Sequence, residues 1–238
     1  MTDTLHTAPD TQTPAPEPHA GSFPRRVVDT FFSPIALFRR FGARPPWVDV
    51  MVLSVVIGLA VFALVPRDVW VATMEDAMRQ RGQEMPAGAS AETMAGMQRI
   101  FGMIGGAIMP WIFLAIQAGL MTLVFSVVMG GRATFRQYVG VVAHASLVGA
   151  VGQLATLPII IQKGVMTQGI TLGALAGGMD PESFVYQFLN AWNVFLIWQI
   201  VLLGLGAAAL NRRMSSGAAV GVLLGIYAVI AAIIAAVI

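Results

Sequence analysis

The sequence predicts an all-α membrane protein in which five transmembrane helices follow short cytoplasmic amphipathic helices. Three observations predict it. Of 238 residues, 57% are hydrophobic and only 11% are charged, against roughly 25% charged in a soluble domain. Charge is missing from whole blocks, and apolar runs of 18 or more residues read as membrane spans. Arginines gather at the ends of those blocks, where headgroups and loops lie.

Residues 1–22 are polar and proline-rich, with no apolar signal core, and read as a disordered tail. Residues 23–46 read as two short interfacial helices. Pro24 can open the first, pairing Val27 with Phe31 and Val28 with Phe32 one turn apart. Ser33 then stands as N-cap and Pro34 at the first position of the second. Over Pro34–Phe41, Ile35, Leu37, Phe38 and Phe41 share one side while Arg39 and Arg40 take the other. Gly42 can end that helix, and Pro45 and Pro46 forbid its continuation into Trp47. Phe31, Phe32, Phe38, Phe41 and Trp47 are thus expected to enter the lipid boundary or a groove of the bundle. The arginines are expected to meet anionic headgroups.

The membrane domain covers 47–238, with spans near 47–65, 103–129, 137–161, 187–210 and 217–238. The first, 19 residues long, measures about 28 Å as a helix and suits a ~30 Å hydrocarbon core. The second contains Pro110 and is long enough to tilt, kink or begin at the interface; the third carries Pro158 near its end. The connection 66–102 reads as an outer-side helical hairpin, with one helix over Asp68–Arg81 ended by Gly82 and a second capped by Ser90. Its acids Glu75, Asp76, Glu84 and Glu92 read as a solvated face.

Arg25, Arg26, Arg39, Arg40, Arg44, Arg132, Arg136, Arg212 and Arg213 fall on one side of this topology. Arg67, Arg79, Arg81, Arg99 and Lys163 fall on the other, mixed with acids. The positive-inside rule therefore places the N-terminus in the cytoplasm and the C-terminus outside, in a bacterial inner membrane.

Few polar groups enter the spans. Asp49 sits at the mouth of the first, within reach of water, headgroups or a nearby arginine such as Arg44. His144 lies two turns into the third. It reads either as a proton-carrying or ligand-binding group or, preferably, as a neutral imidazole bonded to a neighbouring helix, since no second buried charge forms a relay. Gln117, Gln153 and Gln199 lie at similar depths in spans two, three and four and are expected to hydrogen-bond together. Asn190 and Asn193 read as interface or cap groups. Gly217, Gly221 and Gly225 form a small-residue stripe, suited either to packing on Gly204 and Ala208 of span four or to a second copy of the chain.

There are no cysteines, and no P-loop, H-E-x-x-H or G-x-S-x-G pattern occurs. No catalytic, cofactor or metal site is expected. The net charge is only +2 and its basic residues flank apolar segments, which points to lipid rather than nucleic acid.

Asp29-x-x-x-Ser33-Pro34-x-x-x-Phe38, followed by Pro45-Pro46-Trp47 opening a span, resembles the start of the bacterial branch of the YIP (Ypt/Rab-interacting protein) family. "GGRATFRQYVGVVAHAS" and "NVFLIWQIVLLGLG" are similar to that family as well, so the resemblance covers about residues 24–238. It implies five spans with the N-terminus inside. The eukaryotic relatives bind Rab-type GTPases, but their Asp-Leu-Tyr-Gly-Pro signature is not present; residues 29–34 read Asp-Thr-Phe-Phe-Ser-Pro. The expected function is non-enzymatic: contact with lipids or with a membrane or cytoplasmic protein, similar to membrane-organisation and trafficking factors. The alternative is a small transporter or channel, with a cavity near His144, Gln117, Gln153 and Gln199 and with carbonyls freed by Pro110 and Pro158.

Overall fold

The computed structural model describes residues 20–80, 82, 90–164, 166, 171–211 and 213–237. The expected tail lies almost entirely outside them, as do Arg81, Glu84 and Arg212. Among the described residues the chain is helical, and its only extended pairing is a single bridge between Thr171 and Asn193.

Two short helices come first, α1 (Phe23–Phe32) and α2 (Pro34–Arg39). Ser33 occupies the N-cap of α2, but its side chain makes no capping bond; the break comes from Pro34, which cannot donate to the preceding turn. The helix α3 (Val48–Leu64) then runs to Val65, where Pro66 precedes an 86° turn into α4 (Arg67–Gln80). Across this turn α4 lays Val69 and Trp70 against Val61 of α3, Ala95 of α5 and Leu157 of α6. The α4 helix is therefore a packed cover on this end of the bundle, held by Val69 and Trp70.

The helix α5 (Ala91–Met121) is capped by the Ser90 hydroxyl, which accepts from the Thr93 N–H at 3.2 Å. It continues without a break as a π-helix over Thr122–Val128. The second span therefore starts well before residue 103 and includes Pro110 in its interior. The helix α6 (Phe135–Lys163) opens with a capping box between Thr134 and Gln137. Its residues Tyr138–Ala145 are buried on every side of the helix, which marks α6 as the central element. It packs on α3, α5 and on α9.

The fourth apolar run is not one helix. After α7 (Leu172–Leu175) it divides into α8 (Phe184–Asn190) and α9 (Val194–Leu210). Asn193 caps α9 by accepting from the Leu196 N–H at 2.8 Å, and the Tyr227 hydroxyl takes the Ala191 carbonyl at 2.9 Å. Backbone groups freed at the break are thus satisfied inside the protein. The last helix, α10 (Ser216–Val237), packs along α9.

The α5 segment with its π extension, α6 and α10 are each long and apolar enough to cross a membrane, and the bent α3–α4 pair can supply a fourth crossing. The helices α3 and α9 each have 17 residues, about 26 Å, so a count of five is approximate. The lipid face is visible: Ile104, Ile108, Ile112 and Ile116 on α5 and Val229 and Ile233 on α10 are all exposed. A continuous apolar surface of this extent belongs in hydrocarbon. The chain is an all-α membrane protein.

Candidate functional site

Of the two places open to the aromatic residues of α1 and α2, the structure chooses the groove for most. Leu37 and Phe38 are fully buried and Phe41 nearly so, with α2 seated on α9. Phe31 meets Trp198 of α9 edge-on at 5.5 Å, and Trp47 meets Trp111 of α5 at 6.2 Å. The fit is close at Gly140, where an added Cβ would stand 2.7 Å from Pro45 Cγ and 3.0 Å from Phe41 Cε2. Phe32 and Val28 remain outside, 82% and 54% exposed.

The arginines do not all face water as expected. Arg26 is buried, donates from Nη1 to the Gly21 carbonyl at 2.7 Å, and pairs through Nη2 with Asp49. Asp49 therefore has Arg26 as its partner, not Arg44, and stands in the first turn of α3, where the helix dipole favours a carboxylate. Arg40 pairs with Asp29, which also receives Arg25 at 3.6 Å. Arg39 behaves as the pattern predicted, as do Arg25 and Arg44: all three are exposed, and Arg39 lines a cavity of about 370 Å³ with Ile35, Ala208 and Ser216. Ion pairing wins for Arg26 and Arg40 because the fold brings an acid to each, Asp49 of α3 to Arg26 and Asp29 of α1 to Arg40.

His144 is fully buried between the rings of Phe38 (6.5 Å) and Phe41 (5.2 Å). Its Nδ1 lies 2.7 Å from the Gly140 carbonyl of its own helix, a correction to the expected bond with a neighbouring helix. A carbonyl only accepts, so Nδ1 carries the proton, and among the described residues the buried Nε2 has no partner.

Gln117, Gln153 and Gln199 do converge, but not on one another. Among the described residues no hydrogen bond joins the three amides; instead all three line one cavity of about 260 Å³ between α3, α5, α6 and α9. Gln153 and Gln199 also line a neighbouring cavity of about 400 Å³ that reaches Thr156 and Asn193. His144 lines neither. Asn190 is an internal tie, accepting from the Thr171 hydroxyl at 2.8 Å.

The stripe of Gly217, Gly221 and Gly225 faces outward, with nothing within 4 Å of an added Cβ at any of the three. Packing on span four uses the opposite side of α10: Val220 presses on Gly204, where a Cβ would lie 2.6 Å from its Cγ2.

Asn211, which the pattern analysis missed, is a buried hub. Its Oδ1 accepts from the N–H groups of Arg132 (2.8 Å) and Ala133 (3.1 Å), and its Nδ2 donates to the Tyr138 hydroxyl (2.9 Å) and the Ala207 carbonyl (2.8 Å). It ties the α5–α6 turn to the end of α9 and brings Arg132 and Arg213 to the rim of one cavity of about 360 Å³. The only advance signal was an asparagine directly after an apolar run.

Arg39, Arg132 and Arg213 thus open at a single end of the bundle, around the α9–α10 turn. At the far end arginines are matched by acids, Arg67 with Glu92 at 3.1 Å and Arg79 with Asp76 at 2.6 Å.

Residues 28–238 match the family model described as the Yip1 domain. No match to a curated protein or to a solved structure accompanies it. With nearly the whole helical bundle inside the matched region, the chain belongs to the Yip1-domain family of membrane proteins.

Proposed function

We propose that the protein is a non-enzymatic integral membrane protein that works by contact, presenting α1 and α2 to anionic headgroups and to proteins at the cytoplasmic face of a bacterial inner membrane. One observation carries this reading. The α1–α2 segment is held rigidly by the Arg26–Asp49 pair and the buried rings, while Phe32, Val28, Arg25 and Arg39 stay open on its outer side. Apolar side chains beside arginines suit a headgroup layer. The concentration of arginines at this end supports a cytoplasmic N-terminus.

The test uses the full chain reconstituted in bilayers, with an environment-sensitive dye on a cysteine at position 32. In bilayers containing phosphatidylglycerol the dye should report an apolar setting, and Arg25→Glu with Arg39→Glu should reverse this. Each arginine near an anionic surface contributes about 1 kcal/mol, so the pair corresponds to roughly a 30-fold change in partition. An identical signal in neutral and anionic bilayers overturns the lipid contact. Arg40 is left unchanged because its pairing with Asp29 makes it structural.

A further inference from the structure

We propose that the amide-lined cavity between α3, α5, α6 and α9, open to the surface at Gln153 and Phe113, binds an uncharged, hydroxyl-bearing molecule, either the head of a neutral glycerolipid or a small polyol. This inference does not rest on the contact function of α1 and α2, and either can fail alone.

Three glutamines on three different helices face the same space. Ser54 and Ser146 also line it, but their hydroxyls donate to the Val50 and Val142 carbonyls at 3.0 and 2.9 Å, so they offer the space acceptors only. An amide at membrane depth is costly unless its donors and acceptor are satisfied. Here no amide satisfies another, so the space between them is a hydrogen-bonding environment with its capacity unspent. Pro110 has no N–H to offer the carbonyl four residues earlier, and that residue, Gly106, lines the same cavity. The lining is therefore rich in both donors and acceptors.

Among the described residues no titratable side chain lines either this cavity or its neighbour. Without a counter-charge, an ion or a zwitterion would pay most of its desolvation cost inside the bilayer. The same lining suits a neutral ligand whose hydroxyls both donate and accept. Apolar walls from Phe62, Phe113 and Leu114 complete the space. The two cavities share Phe62, Gly149, Gln153 and Gln199; the larger, about 400 Å³, falls in the range of small-ligand sites, and the smaller, about 260 Å³, lies just below it. Glycine at 58 and at 149 keeps the walls thin: an added Cβ would lie 3.5 Å from Gln153 Oε1 and 3.2 Å from Gln199 Oε1, respectively.

The experiment labels the full chain in liposomes with a photoactivatable monoacylglycerol carrying its diazirine beside the glycerol head. Adducts should map to peptides of α5, α6 and α9. Gln153→Leu and Gln199→Leu should each lower labelling about threefold, the factor for an interhelical hydrogen bond of ~0.6 kcal/mol, and Ser146→Ala gives a milder variant if a glutamine variant fails to fold. Competition by unlabelled monoacylglycerol but not by glycerol identifies a lipid head. Competition by glycerol, with glycerol-driven swelling of the proteoliposomes, identifies a polyol from water. Adducts confined to the lipid-facing surface overturn the proposal, as does labelling indifferent to every variant or competition by phosphatidic acid as strong as by monoacylglycerol.

Discussion

Removing the Asp49 carboxylate should release α1 from the bundle. The Arg26 side chain is 6% exposed and its Nη2 finds its acid in Asp49, whose own side chain is 43% exposed. Deleting one member of a fully buried pair costs about 3–5 kcal/mol, mainly by stranding the other charge. Water already reaches Asp49, so we discount this to about 2–3 kcal/mol for Asp49→Leu. The absence of native cysteines gives a direct assay. Thr30, fully buried on α1, is replaced by cysteine, and its reaction with a water-soluble maleimide reports the undocked fraction. A cost of about 2–3 kcal/mol converts to labelling roughly 30- to 150-fold faster. In the double variant Arg26→Leu with Asp49→Leu, two apolar side chains replace the pair and protection should return. A labelling rate within threefold of the parent for Asp49→Leu, or a double variant as reactive as the single one, would refute the reasoning.

Asn211→Leu strands the N–H groups of Arg132 and Ala133, which rely on its carbonyl oxygen; unfolding in detergent should show a loss of about 2 kcal/mol or more. Asn211→Asp keeps that oxygen and should lose less. At Gly206 an added Cβ would lie 2.3 Å from Val141 Cγ1, so Gly206→Ala should cost about 1–3 kcal/mol by overpacking, with Val141→Ala in the same chain recovering most of it. Replacing Gly217, Gly221 and Gly225 with alanine meets no atom within 4 Å, so thermal stability should hold or rise slightly. A drop accompanied by loss of a cross-linked dimer would place a second copy on that face.

Helix identity was legible where one chemical property runs through many consecutive residues. Apolar runs announced the bundle and Ser90 announced the start of α5, while equal depth placed the three glutamines around one cavity without the expected hydrogen bonds between them. What escaped depends on partners far away in the chain. Nothing local to Asp49 says that its arginine lies 23 positions earlier, and nothing local to Asn211 says that it serves amides 78 and 79 positions back. The split between α8 and α9 was hidden for a related reason. Average hydropathy barely registers Asn193, yet its side chain supplies the cap that lets a new helix begin there. Rings also looked alike in the sequence: Phe32 and Phe38 have similar neighbours, and only the position of α9 decides that one is exposed and the other enclosed.

The docking of α2 sets an order on assembly. Phe31 and Phe38 are synthesised before the surfaces that receive them, since His144 and Trp198 belong to the third and fourth apolar runs. During synthesis the leading segment has nowhere to settle until most of the bundle has entered the bilayer. The helices α1 and α2, made before their receiving surfaces, are therefore among the last to find their place. A chain truncated or misthreaded before α9 would carry its N-terminal aromatics unsheltered, giving quality-control proteases a simple mark of an unfinished molecule.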